Sequence, residues 1–313
     1  MPAIEMIPAM PWIVDLVVLA ALWGGSFLLM RLGALEFGPI GTAFLRVLIA
    51  AAILTAVLAL RRQLGVLRRH LGPSLFVGVL NSGIPFALFS FAVLSISTGL
   101  TSILNATAPM WGALVASLWL GERLAPLRIV GLVIGAGGVA LLSWDKVALR
   151  DGQAAWAIAA VLGATLCYGI AASFTKRFLT GVPPMVTAAG SQLGATLGLV
   201  IPAWIWMPRL LGDGAPGASA WGAIVLLACL CTALAYILYF RLIERAGPQR
   251  ALTVTFLVPV FGVAYGALIL GEVVEPRALV AAAVVLVGTA LALGVLRWPR
   301  AADTTAVQPV NRP

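Results

Sequence analysis

The chain has 313 residues, 62% of them hydrophobic and only 10% charged, with a mean hydropathy of +1.07. A soluble globule carries about 45–50% apolar and about 25% charged residues, so this composition excludes a soluble domain and describes a polytopic membrane protein. The net charge of +9 invites a nucleic-acid partner, but excess Lys and Arg in a membrane protein collects in cytoplasmic loops, and no nucleic acid is expected.

A membrane-spanning helix needs about 17–25 apolar residues. Runs of that kind fall at 12–30, 39–60, 73–95, 99–120, 127–144, 154–175, 184–206, 220–240, 250–270 and 276–296. They predict an all-α polytopic membrane protein with ten transmembrane helices. The first 11 residues contain no Lys or Arg and the run behind them is long enough to span, so no cleavable signal peptide is expected. Turn formers separate many runs: Phe37-Gly38-Pro39, Leu71-Gly72-Pro73, Asp151-Gly152, Gly181-Val182-Pro183-Pro184 and Gly247-Pro248. Residues 207–219 read as irregular, and the polar stretch 299–313 reads as a disordered cytoplasmic tail. Trp12, Trp144, Trp206, Trp221 and Trp298 sit at run ends, where amphipathic rings settle at the headgroups. Cys167, Cys229 and Cys231 lie in apolar runs without ligand spacing, so they read as small buried hydrophobes and neither a metal nor a cofactor is expected.

The fourth and fifth runs recur as the ninth and tenth. Pro109 to Leu141 and Pro259 to Leu291 align without a gap at an offset of 150, with eleven of 33 positions identical. The identities include Pro109/Pro259, Gly112/Gly262, the corners Leu120-Gly121-Glu122 and Leu270-Gly271-Glu272, and Pro126/Pro276. The chain therefore divides into five-helix repeats, 1–150 and 151–298. Links on the N-terminal side hold fourteen Lys and Arg against five on the other, which predicts both termini in the cytoplasm. Five is odd, so the second repeat enters from the opposite face and must be inverted. Inverted repeats around a midplane site are a signature of secondary transporters.

Trp23-Gly24-Gly25-Ser26-Phe27, Phe44-Leu45-Arg46 and the two Leu-Gly-Glu corners resemble the EamA-type proteins of the drug/metabolite transporter superfamily, over about 12–296. Gln192, where Arg46 would fall at an offset of 146, adds to the resemblance. It implies a ten-helix carrier in a bacterial-type inner membrane, with a central cavity between the halves, exporting amino acids or other small metabolites. Export of drug-like organic cations and channel-like facilitation are the alternatives.

Arg46 lies within an apolar run, where a charge costs about 2.5–3.5 kcal/mol on insertion scales. It either binds a substrate carboxylate or serves the helix structurally. No acid falls mid-span; Asp15 is the deepest, and is either a coupling carboxylate or an interfacial helix-start residue. Uncoupled or exchange transport follows. Pro85, Pro109 and Pro259 interrupt backbone ladders inside runs, with Asn81, Asn105 and several Ser and Thr nearby, which either contact a ligand or tie helices together. Aromatic residues form the remaining cavity candidates: Trp23 and Tyr168, Trp111 and Phe261, Phe86 with Tyr236, Phe89 with Tyr239, and Phe256. Plain packing is their alternative role. Glu122 and Glu272 end spans four and nine, either as gates that pair with basic residues such as Arg123 or Arg128, or as carboxylates capping the next helix.

Gly131-x-x-x-Gly135, Gly190-x-x-x-Gly194-x-x-x-Gly198 and Gly262-x-x-x-Gly266 read as packing within the bundle, and a monomer or weak homodimer is expected. The basic stretch with Arg61, Arg62, Arg68 and Arg69 suits anionic lipid headgroups. A membrane enzyme would need a nucleophile with a base, a metal cluster or paired acids, and an ATP-driven pump a GxxxxGK[ST] loop. Neither pattern occurs, so the chain reads as a carrier and not an enzyme.

Overall fold

A computed structural model describes residues 11–148, 152–211 and 215–295, and among these the chain is helical with no strands. In order the helices are α1 (Pro11–Leu60), α2 (Leu64–Arg69), α3 (Leu71–Ser95), α4 (Thr98–Leu120), α5 (Pro126–Ala148) and α6 (Gly152–Phe178). Then follow α7 (Pro184–Leu211), α8 (Ala218–Ala246), α9 (Pro248–Ala251), α10 (Val254–Leu270) and α11 (Pro276–Leu293). Eight of these are long and apolar enough to cross a membrane, and α10 is apolar with 17 residues. This is a multi-pass membrane protein. Helices are the form such a sequence must take, since hydrocarbon offers no partners and each backbone N–H and C=O is satisfied within its own segment.

The predicted link at 31–38 is helical up to a single residue. At about 1.5 Å per residue the 50 residues of α1 measure roughly 75 Å, over twice the ~30 Å hydrocarbon core. Gly38 breaks it into arms 11–37 and 39–60, with φ 68° and ψ 170°, a conformation essentially restricted to glycine. Pro39 follows and supplies no N–H.

Other predicted runs are divided differently from expectation. The run 99–120 folds as two pieces, Thr98–Asn105 and Ala108–Leu120, and 250–270 as α9 and α10 with a turn at Leu252-Thr253. The supposed irregular stretch 207–219 is helical as far as Leu211, because its leading residues Met207 to Leu211 are good helix formers apart from Pro208. Residues 212–214 lie outside the described residues, as do Trp298 and the tail 299–313.

The two halves share local irregularities at the spacing of the sequence repeat. A π-turn interrupts α3 at Val79–Gly83 and another interrupts α8 at Cys229–Leu234, starting 150 positions apart. Each Leu-Gly-Glu corner ends its helix on a left-handed glycine, Gly121 at φ 70° and Gly271 at φ 65°. The corner N–H groups return to equivalent carbonyls, Glu122 N to Ala116 O at 3.4 Å and Glu272 N to Gly266 O at 3.0 Å. The same sequence closes the same turn twice.

Contacts between the halves form the centre. A core cluster joins Leu19, Phe27 and Met30 of α1 and Phe89 of α3 to Val161 of α6, Leu227 and Leu238 of α8, and Val258 of α10. The small-residue motifs pack inside the chain: Gly131 and Gly135 against Gly288, Gly194 against Leu75, and Gly262 against Ser102. A Cβ on Gly131 would come within 2.7 Å of the Gly288 carbonyl, so α5 and α11 approach at backbone distance. Trp144, Trp206 and Trp221 are exposed at their helix ends.

Candidate functional site

A cavity of about 270 Å³ lies among α1, α3, α4, α6, α8 and α10, and both halves contribute walls. Nine of the thirteen residues predicted for it line it: Trp23, Arg46, Asn81, Phe86, Phe89, Asn105, Tyr168, Tyr236 and Tyr239. Ser26, Phe27, Met30, Cys231 and Thr232 join them, together with Val254, Thr255 and Val258.

Arg46 is 4% exposed, on the second arm of α1. Its Nε donates to Thr232 Oγ1 at 2.8 Å, Nη1 approaches Met30 Sδ at 3.5 Å, and the guanidinium lies 3.6 Å from the centre of the Phe86 ring. Thr232 Oγ1 in turn donates to the Leu227 carbonyl at 2.8 Å, five residues back in the π-turn. A desolvated cation–π contact contributes about 2 kcal/mol and a hydrogen bond to a charged group about 1.5–3 kcal/mol. These offset the ~2.5–3.5 kcal/mol cost of inserting the charge. Neutral groups thus seat the side chain, and among the described residues no acid pairs with it.

The π-turns position this wall. Extra residues per turn rotate the following side chains and bring Asn81 from α3 and Cys231 and Thr232 from α8 to the cavity. Asn81 Nδ2 donates to Tyr236 Oη at 3.1 Å, so the two interrupted helices meet through polar side chains. Rings complete the surface, with Trp23 and Tyr239 at 5.4 Å, Phe27 and Phe89 at 5.7 Å, and Phe89 and Tyr168 at 5.9 Å.

The prolines carry a second regularity. Each withholds the N–H that the carbonyl four residues earlier would accept in a regular helix. Those residues are Asn81 before Pro85, Asn105 before Pro109 and Thr255 before Pro259, and all three line the cavity. Pro85 and Pro109 stand in the first turn of helical pieces that restart after a break, where a missing N–H is tolerated, whereas Pro259 lies inside α10. The spacing was present in the sequence as a signal for Thr255.

Four predicted cavity residues lie elsewhere. Gln192 is fully buried and donates from Nε2 to Ser82 Oγ at 2.8 Å, behind the π-turn of α3. Its offset from Arg46 matched a residue in sequence, but α7 contributes no lining residue among those described. Trp111 packs its backbone on Gly169 of α6, Phe261 meets Gly24 and stands 6.1 Å from Tyr265, and Phe256 is half-buried on α10 away from the lining. Asp15 also lies away from the cavity and receives hydrogen bonds from Arg241 Nε at 3.0 Å and Arg245 Nη1 at 3.2 Å, and from Arg241 Nη2. It ties the start of α1 to the end of α8, and among the described residues no carboxylate lines the cavity.

The two corner glutamates have different partners, and neither pairs with Arg123 or Arg128. Glu272 accepts from Thr98 N at 2.8 Å, Thr98 Oγ1 at 2.9 Å and Gly99 N at 3.3 Å, with Arg31 at 3.6 Å. It caps the first turn of α4, not the helix that follows it in sequence. Glu122 pairs with Lys176 of α6 at 2.5 Å. Arg61, Arg62, Arg68 and Arg69 are exposed on and beside α2, with Leu67 buried beneath them.

Comparison with known proteins agrees with this architecture. The model of the EamA-like transporter family matches residues 10–144 and again residues 155–294. An uncharacterized transporter of Archaeoglobus fulgidus is 24% identical over 88% of this chain and 96% of its own length. A probable terminal-alkyne amino-acid exporter of Streptantibioticus cattleyicolor is 25% identical, covering 88% and 91%, and the uncharacterized inner membrane transporter YedA of Escherichia coli is 26% identical over 82% of each chain. A crystal structure superposes with a TM-score of 0.61 at 20% identity, over 91% of this chain and 97% of that one, which is a likeness of fold.

Proposed function

The chain belongs to the EamA-like transporter family, so it is a membrane transporter and not an enzyme, and from that premise we propose that it moves small metabolites, amino acids or related compounds, by alternating access. The observation that carries the reading is a cavity walled by both family-matched halves, Trp23 to Ala108 on one side and Tyr168 to Val258 on the other. A site shared by two modules is exposed to either face when the modules rock against each other. The amino-acid class is supported by the exporter of Streptantibioticus cattleyicolor among the relatives.

In this reading the arms of α1 cross the bilayer separately, which makes ten crossings in two inverted modules, 1–150 and 151–298. Both termini face the cytoplasm of a bacterial-type inner membrane, and net transport is outward. Arg61, Arg62, Arg68 and Arg69 rest on anionic lipid, and the protein works as a monomer or weak homodimer. A cavity without a carboxylate favours exchange or uncoupled movement over proton or sodium coupling.

Counterflow in proteoliposomes tests the mechanism. A carrier shows saturable uptake that an opposing gradient of unlabelled substrate accelerates, and uptake that is linear and indifferent to the trans side would mean a channel. Topology is tested separately. Single cysteines at positions 122 and 272 react with impermeant maleimide from opposite faces, and labelling from one face removes the inversion.

A further inference from the structure

The cavity's charge identifies what it takes, and this deepens the transporter reading above and rests on it. Among the described residues, Arg46 is the only charged side chain that lines the cavity. Every contact that seats it is neutral: the Thr232 hydroxyl, the Met30 sulfur and the Phe86 ring. The hydroxyl is itself committed, since it donates its own proton to the Leu227 carbonyl. Among the described residues the acids nearest to such a role are engaged elsewhere, Asp15 with Arg241 and Arg245, Glu272 with Arg31, and Glu122 with Lys176.

A guanidinium offers five N–H donors in a planar fork that fits a carboxylate in bidentate fashion. Nε and one Nη1 hydrogen are used by Thr232 and Met30, which leaves the Nη2 side of the fork for a ligand. Opposite charge gains most where water is excluded, and a second cation brought to the same enclosure meets repulsion for the same reason. The rings of Trp23, Phe89, Tyr168 and Tyr239 supply flat apolar walls for the rest of the molecule.

We propose that the cavity selects organic carboxylates with an apolar or aromatic body, gripped through the carboxylate by Arg46, and discriminates against amines of the same shape that lack one. Equilibrium dialysis of the purified full-length protein in detergent, with radiolabelled 3-phenylpropionate and radiolabelled phenethylamine, tests this. The acid is expected to bind at least tenfold more tightly than the amine. Arg46→Gln should weaken the acid at least tenfold, and Arg46→Lys, which keeps the charge without the fork, should fall between. Equal or tighter binding of the amine, unchanged binding of the acid to Arg46→Gln, or no binding of either probe overturns the assignment. The acid–amine comparison uses the wild-type chain, so it stands even where a variant fails to fold. Counterflow separates the two readings: binding of the acid without counterflow removes the transporter mechanism and leaves the carboxylate site, whereas counterflow of the amine in place of the acid does the reverse.

Discussion

The corners Gly121-Glu122 and Gly271-Glu272 have one sequence, one left-handed glycine conformation and one hydrogen-bond return, yet they hold the molecule differently. The Glu272 side chain is 13% exposed and takes three hydrogen bonds from Thr98 and Gly99, so α10 is clamped onto the start of α4. The Glu122 side chain is 39% exposed and meets only Lys176 of α6. The position 150 residues after Thr98 is Pro248, which has no N–H to offer the other glutamate. Identical corners are therefore a buried clasp in one copy and a surface ion pair in the other. Two copies of a motif acquire different roles when the residue that each must grasp differs.

Removing the clasp should have the largest effect. Glu272→Ala leaves two backbone N–H groups and a hydroxyl without their charged acceptor, and unfolding in detergent should show a loss of about 3 kcal/mol. In the proposed carrier, transport should fall about tenfold, because α10 loses its tie to the start of α4. Thr98→Pro is a sharper test. It installs in the first half the residue type found at 248 and deletes both Thr98 bonds to Glu272, from the N–H at 2.8 Å and the hydroxyl at 2.9 Å, while leaving the carboxylate and the Gly99 bond in place. A loss of about 1–2 kcal/mol is expected, and Glu272→Ala added to it should cost less than in the wild type. Arg31→Ala removes a partly exposed partner at 3.6 Å and should cost about 0.5 kcal/mol, less in high salt. Glu122→Ala should be the mildest, below about 0.5 kcal/mol despite the short contact, because both partners reach solvent. If Glu122→Ala destabilises as much as Glu272→Ala, the asymmetry drawn here is wrong.

Much of the architecture was legible because its causes are local. Span length follows from apolar run length, and the 150-residue offset exposed the duplication before any coordinate was known. The same offset reappears in the π-turns at Val79 and Cys229, which no residue pattern announced. Gly38 was read as part of a link, but a single glycine makes the break and the flanking helix runs to 37. The cavity was legible in its chemistry, with Arg46, the Asn residues before prolines and the Trp and Tyr rings. It was not legible in its boundary. Trp111 and Phe261 lie about a turn beyond the lining residues of α4 and α10, Phe256 is the neighbour of the lining residue Thr255, and Gln192 belongs to α7, which contributes no lining residue among those described.

The amino-acid sequence by itself determined that the chain enters the membrane repeatedly, that it is built twice, and that one arginine lies within an apolar run. These depend on composition and spacing, which burial in lipid converts directly into helices. Only the tertiary structure decided which side chains face the cavity and which corner is clasped. Membrane helices are apolar on every side, so no amphipathic stripe marks the inward face as it would in a soluble helix. That choice is made by packing between helices distant in sequence: a π-turn's added residue, a glycine seam, a proline where a threonine stands in the other copy.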